Sequence, residues 1–212
     1  MPPLGLWFNW RLEGTERVPA TGPLIVAGNH LSYLDPFAHA YFVVEAGRRP
    51  RFLAKRELFD NWFTGMVLRG AGQIQVARGV GDNRPLLAAA DALERGEVVV
   101  IYPEGTSQTD DPDFRPGRGK TGVARLALMT GAPVLPVATW GGQYVWRKSG
   151  RQSLKFGRPI FVVAGMPLDL ASSGVDAEDR EGTRALTEEV MDAVTVLVDD
   201  LRVRYPKGWR QG

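Results

Sequence analysis

The chain has 212 residues, 44% of them apolar and 24% charged, with 26 lysines and arginines against 24 aspartates and glutamates. That length and composition describe one ordinary globular domain, long enough to bury roughly 70% of its unfolded surface, and they exclude intrinsic disorder and a coiled coil. The absence of cysteine excludes disulfide frameworks, thiolate zinc sites and cysteine nucleophiles, and fits a reducing compartment.

Charge is spread unevenly. Between Asp169 and Asp200 ten acidic residues face only Arg180 and Arg184, so the rest of the chain carries a surplus of ten positive charges. So basic a body favours anionic partners, whether phosphorylated metabolites, membrane surfaces or nucleic acid, or simply keeps the protein dissolved.

In chain order, the N-terminal PPLGLWFNWR is too short for a secretory signal and lacks a basic n-region. No apolar stretch reaches the roughly 18 to 20 residues needed to cross a bilayer. Within 1–20, Leu4, Leu6, Trp7, Phe8 and Trp10 either rest at a membrane interface or pack on their own domain. Short β-branched runs then predict strands at 24–28 (LIVAG), 51–55 (RFLAK), 73–78 (QIQVAR), 97–103 (EVVVIYP) and 133–139 (PVLPVAT). Helical periodicity falls between them, at 36–46, 59–69, 83–95 and 120–130. LKFGRPIFV (154–162) predicts a late strand, and 164–179 reads as a loop. From Arg180 to Val203, Leu186, Val190, Val194, Leu197 and Leu201 recur at helical spacing. Alternating strands and helices predict a single α/β domain with a mostly parallel central sheet flanked by helices.

In open sheets of this class ligands gather beyond the carboxyl ends of the strands. The first run ends in Asn29 and His30, the second in Lys55 and Arg56, the third in Arg78, and the fourth in Glu104, Gly105, Thr106 and Ser107. An imidazole, several cations and a carboxylate are thus expected on one edge. Asp35 before Pro36 fits a helix start, its carboxylate accepting from first-turn amides. The same carboxylate can fold back onto His30, fix its tautomer and stabilise the imidazolium formed when it takes a proton; the two roles are compatible.

NHLSYLD (29–35) resembles the N-H-x4-D motif of the glycerolipid acyltransferase family, which includes the 1-acyl-glycerol-3-phosphate acyltransferases, and YPEGTS (102–107) resembles its F-P-E-G-T-R signature. GQIQVAR is similar to the block between them, and APVLPVA to a later proline-containing block. The resemblance spans 29–138 and implies a glycerol-3-phosphate acyltransferase-like fold over 1–212. It also implies transfer of an acyl chain from acyl-CoA or acyl carrier protein (acyl-ACP) to a hydroxyl of lysophosphatidic acid or another lysophospholipid, in phospholipid biosynthesis, with no cofactor.

On that basis His30 is the expected general base, oriented by Asp35. Asn29, Lys55, Arg78, Glu104, Gly105, Thr106 and Ser107 are expected to bind substrate, with Glu104 orienting a cation or a hydroxyl and the Gly105 turn offering amides to the oxyanion. Ser107 departs from the pattern, standing where the signature has arginine. Arg118 and Lys120 are candidates to restore that charge; otherwise they belong to a solvated loop.

Other signals were weaker. GRGKT lacks the first glycine of a phosphate-binding loop, having Phe114 there, and GTSQT has Thr109 where a serine-hydrolase motif needs glycine. His39 lies on the helix face of Asp35, but no third ligand joins it and His30, so it is expected as a packed or surface histidine and no metal is expected. ELFDNWFTGMVLRGAG (57–72) is either a buried helix or a segment that lines an acyl groove or touches lipid. The expected location is the cytoplasm, peripheral on the anionic inner face of the cell membrane, with no nucleic-acid partner. A non-catalytic protein binding anionic lipid on the same fold is the alternative, as is transfer to glycerol 3-phosphate or a glycolipid.

Overall fold

The computed structural model describes residues 6–76, 83–105, 113–147 and 152–210. The sequence-predicted strands appear as β2 (Leu24–Gly28), β3 (Pro50–Lys55), β4 (Ile74–Val76), β5 (Val98–Ile101), β6 (Val134–Trp140) and β7 (Pro159–Ala164). A further strand, β1 (Asn9–Glu13), precedes them. Among the described residues these seven form one sheet in the order β1-β7-β6-β2-β5-β3-β4. β2, β3, β4, β5 and β6 run parallel, whereas β7 is antiparallel to β6 and carries β1 parallel to itself.

β1 settles the alternatives for the N-terminal segment in favour of packing on its own domain from Phe8 onward. Phe8 is buried in the core, and Trp10 and Leu12 pack against it. Residues nearer the start stay out: Leu6 and Trp7 are exposed.

The helices are α1 (Asp35–Glu45), α2 (Arg56–Asp60), α3 (Trp62–Gly70), α4 (Arg84–Glu94), α5 (Gly122–Thr130) and α6 (Arg180–Arg204). They cover both faces of the sheet, which is why its central strands read as unbroken apolar runs. Every residue of β2 and of β6 is buried. Along β2 and β5 the side chains alternate. Val26, Val98 and Val100 join Phe42 of α1 on one face, while Ile25, Ala27 and Val99 meet Ala89, Leu93, Val123 and Leu126 of α4 and α5 on the other. α6 packs Val194, Val198 and Leu201 against Ala138, Trp140 and Val163.

The helix expected at 59–69 is two helices. Asn61 adopts an extended backbone and its side chain accepts from the amides of Phe63 and Thr64, ending α2 and starting α3. Gly65 lets them pack closely, since a side chain there would overlap the carbonyl of Phe59. α3 is not a buried helix: Trp62, Phe63, Met66 and Val67 are all at least half exposed.

β2 continues into α1 on one face, and its neighbour β5 leads to α5 on the other. The crevice between these two carboxyl ends is therefore the switch point of the sheet, where ligands of such folds collect. Because β6 lies between β2 and β7 with its side chains buried, replacing Leu135 by alanine is expected to remove about 2–5 kcal/mol of stability, measured by chemical denaturation.

Candidate active site

β2 ends at Gly28, and the chain turns through residues 29–34 before α1 begins. Asn29 has no exposed surface. Its side-chain amide donates to the carbonyl of Thr139 on β6 at 3.1 Å, and its oxygen accepts the Thr139 amide at 2.8 Å, so it ties β2 to β6 and presents nothing to a substrate. The next residue, His30, keeps its side chain 20% exposed.

Asp35 sits inside the helix start, and its carboxylate turns back over the preceding turn instead of capping the first-turn amides of α1. Oδ2 accepts from the amides of Leu31 (2.5 Å) and Ser32 (2.7 Å) and from Nδ1 of His30 (3.1 Å). Oδ1 accepts from the hydroxyls of Ser32 (2.6 Å) and Thr139 (3.2 Å). The capping role expected from sequence is thus replaced by a clamp on residues 30–32. Since the carboxylate only accepts, Nδ1 of His30 carries the hydrogen and Nε2 keeps a free lone pair, the tautomer a general base needs.

Glu104, just past β5, is buried and grips two main-chain amides: His30 at 3.1 Å and Gly117 at 2.9 Å. Its described partners are therefore backbone groups, not the cations or hydroxyl expected from sequence. The turn is closed by Gly105, whose φ of +73° suits glycine and whose amide donates to the carbonyl of Tyr102 at 2.9 Å. That amide is used within the turn, which removes it as an oxyanion donor.

The segment carrying Arg118 and Lys120 is pinned beside this turn by the Gly117–Glu104 bond and by the Lys120 amide on the carbonyl of Pro103, at 2.8 Å. The side chain of Lys120 lies across Gly105, where an added methyl group would come within 2.7 Å of Nζ. Arg118 is exposed. The structure thus gathers His30, Asp35, Glu104, Gly105 and Lys120 at the switch point. Lys55 closes β3 at the same edge, but its side chain lies outside the described residues, as do Arg78, Thr106 and Ser107.

Three contributors escaped the sequence reading. Thr139 lies 104 positions from the aspartate it steadies. Tyr102 stacks on His30, with ring centroids 4.5 Å apart and planes at 23°. His39 is fully buried; its Nδ1 lies 2.9 Å from the carbonyl of Asp35 and 3.2 Å from the hydroxyl of Tyr102. Among the described residues its buried Nε2 makes no hydrogen bond of good geometry, although the main chain of Val137 interacts with the ring. Burial also lowers the pKa of His39 from 6.5 and, together with the nearby Asp35, raises that of Tyr102 well above 10. The one sequence signal was Tyr102 itself, standing where the signature has phenylalanine.

Burial raises the Glu104 carboxyl from 4.5 to about 7, against its two amide bonds and the nearby His30, which lower it. The folded state therefore binds this proton more tightly than the unfolded chain does, and the resulting stabilisation is complete below about pH 4.5 and lost as pH rises through about 7. Glu104→Gln removes the ionisation. Between about pH 5 and 8 the parent is expected to lose on the order of 1–3 kcal/mol that the variant does not, seen as a flatter pH dependence of the denaturation midpoint.

Comparison with known proteins bears on the family and the fold. The chain is 26% identical over 198 residues to a 1-acyl-sn-glycerol-3-phosphate acyltransferase of Bacillus subtilis, covering 93% of this chain and 92% of that protein. It is 28% identical over 209 residues to a protein of the same name from Pseudomonas aeruginosa, covering 94% and 75%. The crystal structure of the 1-acyl-sn-glycerophosphate (LPA) acyltransferase PlsC from Thermotoga maritima superposes with a TM-score of 0.71 at 28% identity, over 95% of this chain and 76% of that one. A family model described as Acyltransferase matches residues 9–140, from β1 to the end of β6, and the chain belongs to that acyltransferase family.

Proposed function

We propose that this O-acyltransferase moves a fatty acyl group from a thioester, acyl-CoA or acyl-ACP, to the free hydroxyl of 1-acyl-glycerol 3-phosphate, with His30 as general base and a place in phospholipid biosynthesis. The observation that carries the reading is the contact between His30 Nδ1 and Asp35 at 3.1 Å, on a partly exposed imidazole whose Nε2 remains an acceptor. The relatives' names supply the acceptor.

An alcohol is a weak nucleophile near neutral pH. As the hydroxyl oxygen bonds to the thioester carbonyl carbon, its proton passes to Nε2 of His30, and Asp35 faces the imidazolium that forms. The tetrahedral intermediate collapses with cleavage of the carbon–sulfur bond, and the imidazolium returns its proton to the departing thiolate. No covalent enzyme intermediate is needed. Glu104 contributes by holding the main chain at His30 and at Gly117, which sets the cation-bearing 117–120 segment beside the base. Lys120, with Arg118, Lys55 and Arg78, supplies positive charge for the acceptor's phosphate, as a mobile ammonium or a bidentate fork.

Peripheral contact with an anionic membrane, at the inner face of the cell membrane, belongs to the same reading. Among the described residues no helix is long and apolar enough to cross a membrane. What supports surface contact is apolar groups exposed on both sides of the site's edge. α3, which follows the carboxyl end of β3 through α2, exposes Trp62, Phe63, Met66 and Val67. Because β1 and β7 run against the other strands, Leu6, Trp7, Leu154 and Phe156 come to the same edge, with Trp7 edge-on to Phe156 at 5.6 Å. Indole rings favour such an interface.

His30→Ala is expected to lower kcat about 10²- to 10⁴-fold in a folded protein, read by mass spectrometry with acyl-CoA and a panel of 1-acyl-glycerol 3-phosphate, glycerol 3-phosphate, larger lysolipids and glycolipid acceptors. Full activity in that variant contradicts the role of His30, and preference for another member of the panel replaces the acceptor. Thr139→Val, which removes one donor from Asp35, is expected to lower kcat about fivefold in the same assay. Trp62→Ser with Phe63→Ser is expected to reduce sedimentation with anionic phospholipid vesicles; undiminished sedimentation rejects α3 as the contact.

A further inference from the structure

The acyl-transfer mechanism leaves Tyr102 and His39 without a task, yet both lie within one shell of His30. The hydrogen bond from Nδ1 to Asp35 holds His30 by one edge. A single edge contact fixes a direction but lets the imidazole plane tilt about it, and any tilt swings Nε2 away from the line of an incoming hydroxyl. The stacked ring of Tyr102 covers a face of the imidazole and removes that freedom.

Tyr102 is itself anchored at its far end. Its hydroxyl lies 3.2 Å from Nδ1 of His39, and the two rings meet edge to face at 5.4 Å and 73°. The carbonyl of Asp35 can only accept, so Nδ1 of His39 carries a hydrogen that it shares between that carbonyl and the tyrosine oxygen. His39 is wedged against Gly28, where any side chain would overlap its Nε2. Of its two ring nitrogens, Nδ1 is the one that reaches the Tyr102 hydroxyl.

We propose that Tyr102 and His39 are positioning residues for acyl transfer: the tyrosine ring sets the plane of the His30 imidazole, and His39 fixes the tyrosine ring through its hydroxyl. The proposal rests on the assignment of His30 as the base. Steady-state kinetics test it with four variants. Tyr102→Leu removes the ring and is expected to lower kcat about 30-fold with KM for both substrates within about twofold. Tyr102→Phe keeps the ring and loses its anchor, for about a threefold loss. His39→Leu is expected to match Tyr102→Phe, with no further loss when the two are combined, while His39→Asn, which returns an N–H near the Nδ1 position, restores the parent rate.

The chain has only two histidines, so proton–carbon spectra contain two imidazole Cε1–H signals, and the His39 variants assign them without any assay. The Cε1–H of His30 is expected at a position shifted by the stacked ring in the parent, and at that of a free imidazole in Tyr102→Leu. Should Tyr102→Leu fail to fold, Tyr102→Phe and the His39 pair decide the matter alone. Folded Tyr102→Leu with parental kcat, or multiplying losses in the Tyr102→Phe/His39→Leu pair, overturns the proposal. If His30→Ala is also fully active, the assignment of the base has failed; if His30→Ala is inactive and the Tyr102 variants are not, only the positioning has.

Discussion

The carboxylate of Asp35 is the constraint on which the rest of the site depends. Buried at the start of α1, it accepts from five donors among the described residues, two from the backbone of the turn, two from hydroxyls and one from His30. Those donors come from the turn that follows β2 and from β6, so one side chain joins the exit of β2 and the neighbouring strand to the helix that follows. The orientation of His30 is a product of this joint. An imidazole on a free turn would need to be ordered at each encounter with substrate, whereas here the ordering is done in folding.

Glu104 plays a complementary part from the other side of the crevice. By bonding the amides of His30 and Gly117 it links the end of β2 to the segment that follows β5, and that segment brings Lys120 across Gly105. His30 and Lys120 are thus set relative to each other by main-chain bonds to one buried carboxyl. The switch point between β2 and β5 supplies the opening; the two acids supply its register.

Much of this was legible in the sequence because it is local or periodic. Two-sided burial left apolar runs that mark β2, β5 and β6, and a five-residue separation suffices to suggest that Asp35 returns to His30. Features made by distant contacts were not legible. β1 alternates, with Trp10 and Leu12 set between Asn9, Arg11 and Glu13, but it continues an apolar run, so that Phe8 and Trp10 read equally well as membrane anchors until β7 provides the partner. The break at Asn61 depends on a single cap within an otherwise continuous apolar pattern. Asn29 was expected to meet substrate, but Thr139 of β6 occupies its amide. Glu104 was paired in expectation with side-chain cations, because sequence displays side chains and hides the backbone amides that it binds.

The reversed direction of β1 and β7 has a consequence for how the molecule is made. β1 leaves the ribosome before any other strand described here, yet its only neighbour in the sheet is the last strand to appear. Until β7 arrives, β1 has no strand to pair with among the described residues, whereas the central strands can already pair. The edge of the sheet that β1 forms is therefore completed only once nearly the whole chain is present, and closing it joins residues about 150 positions apart.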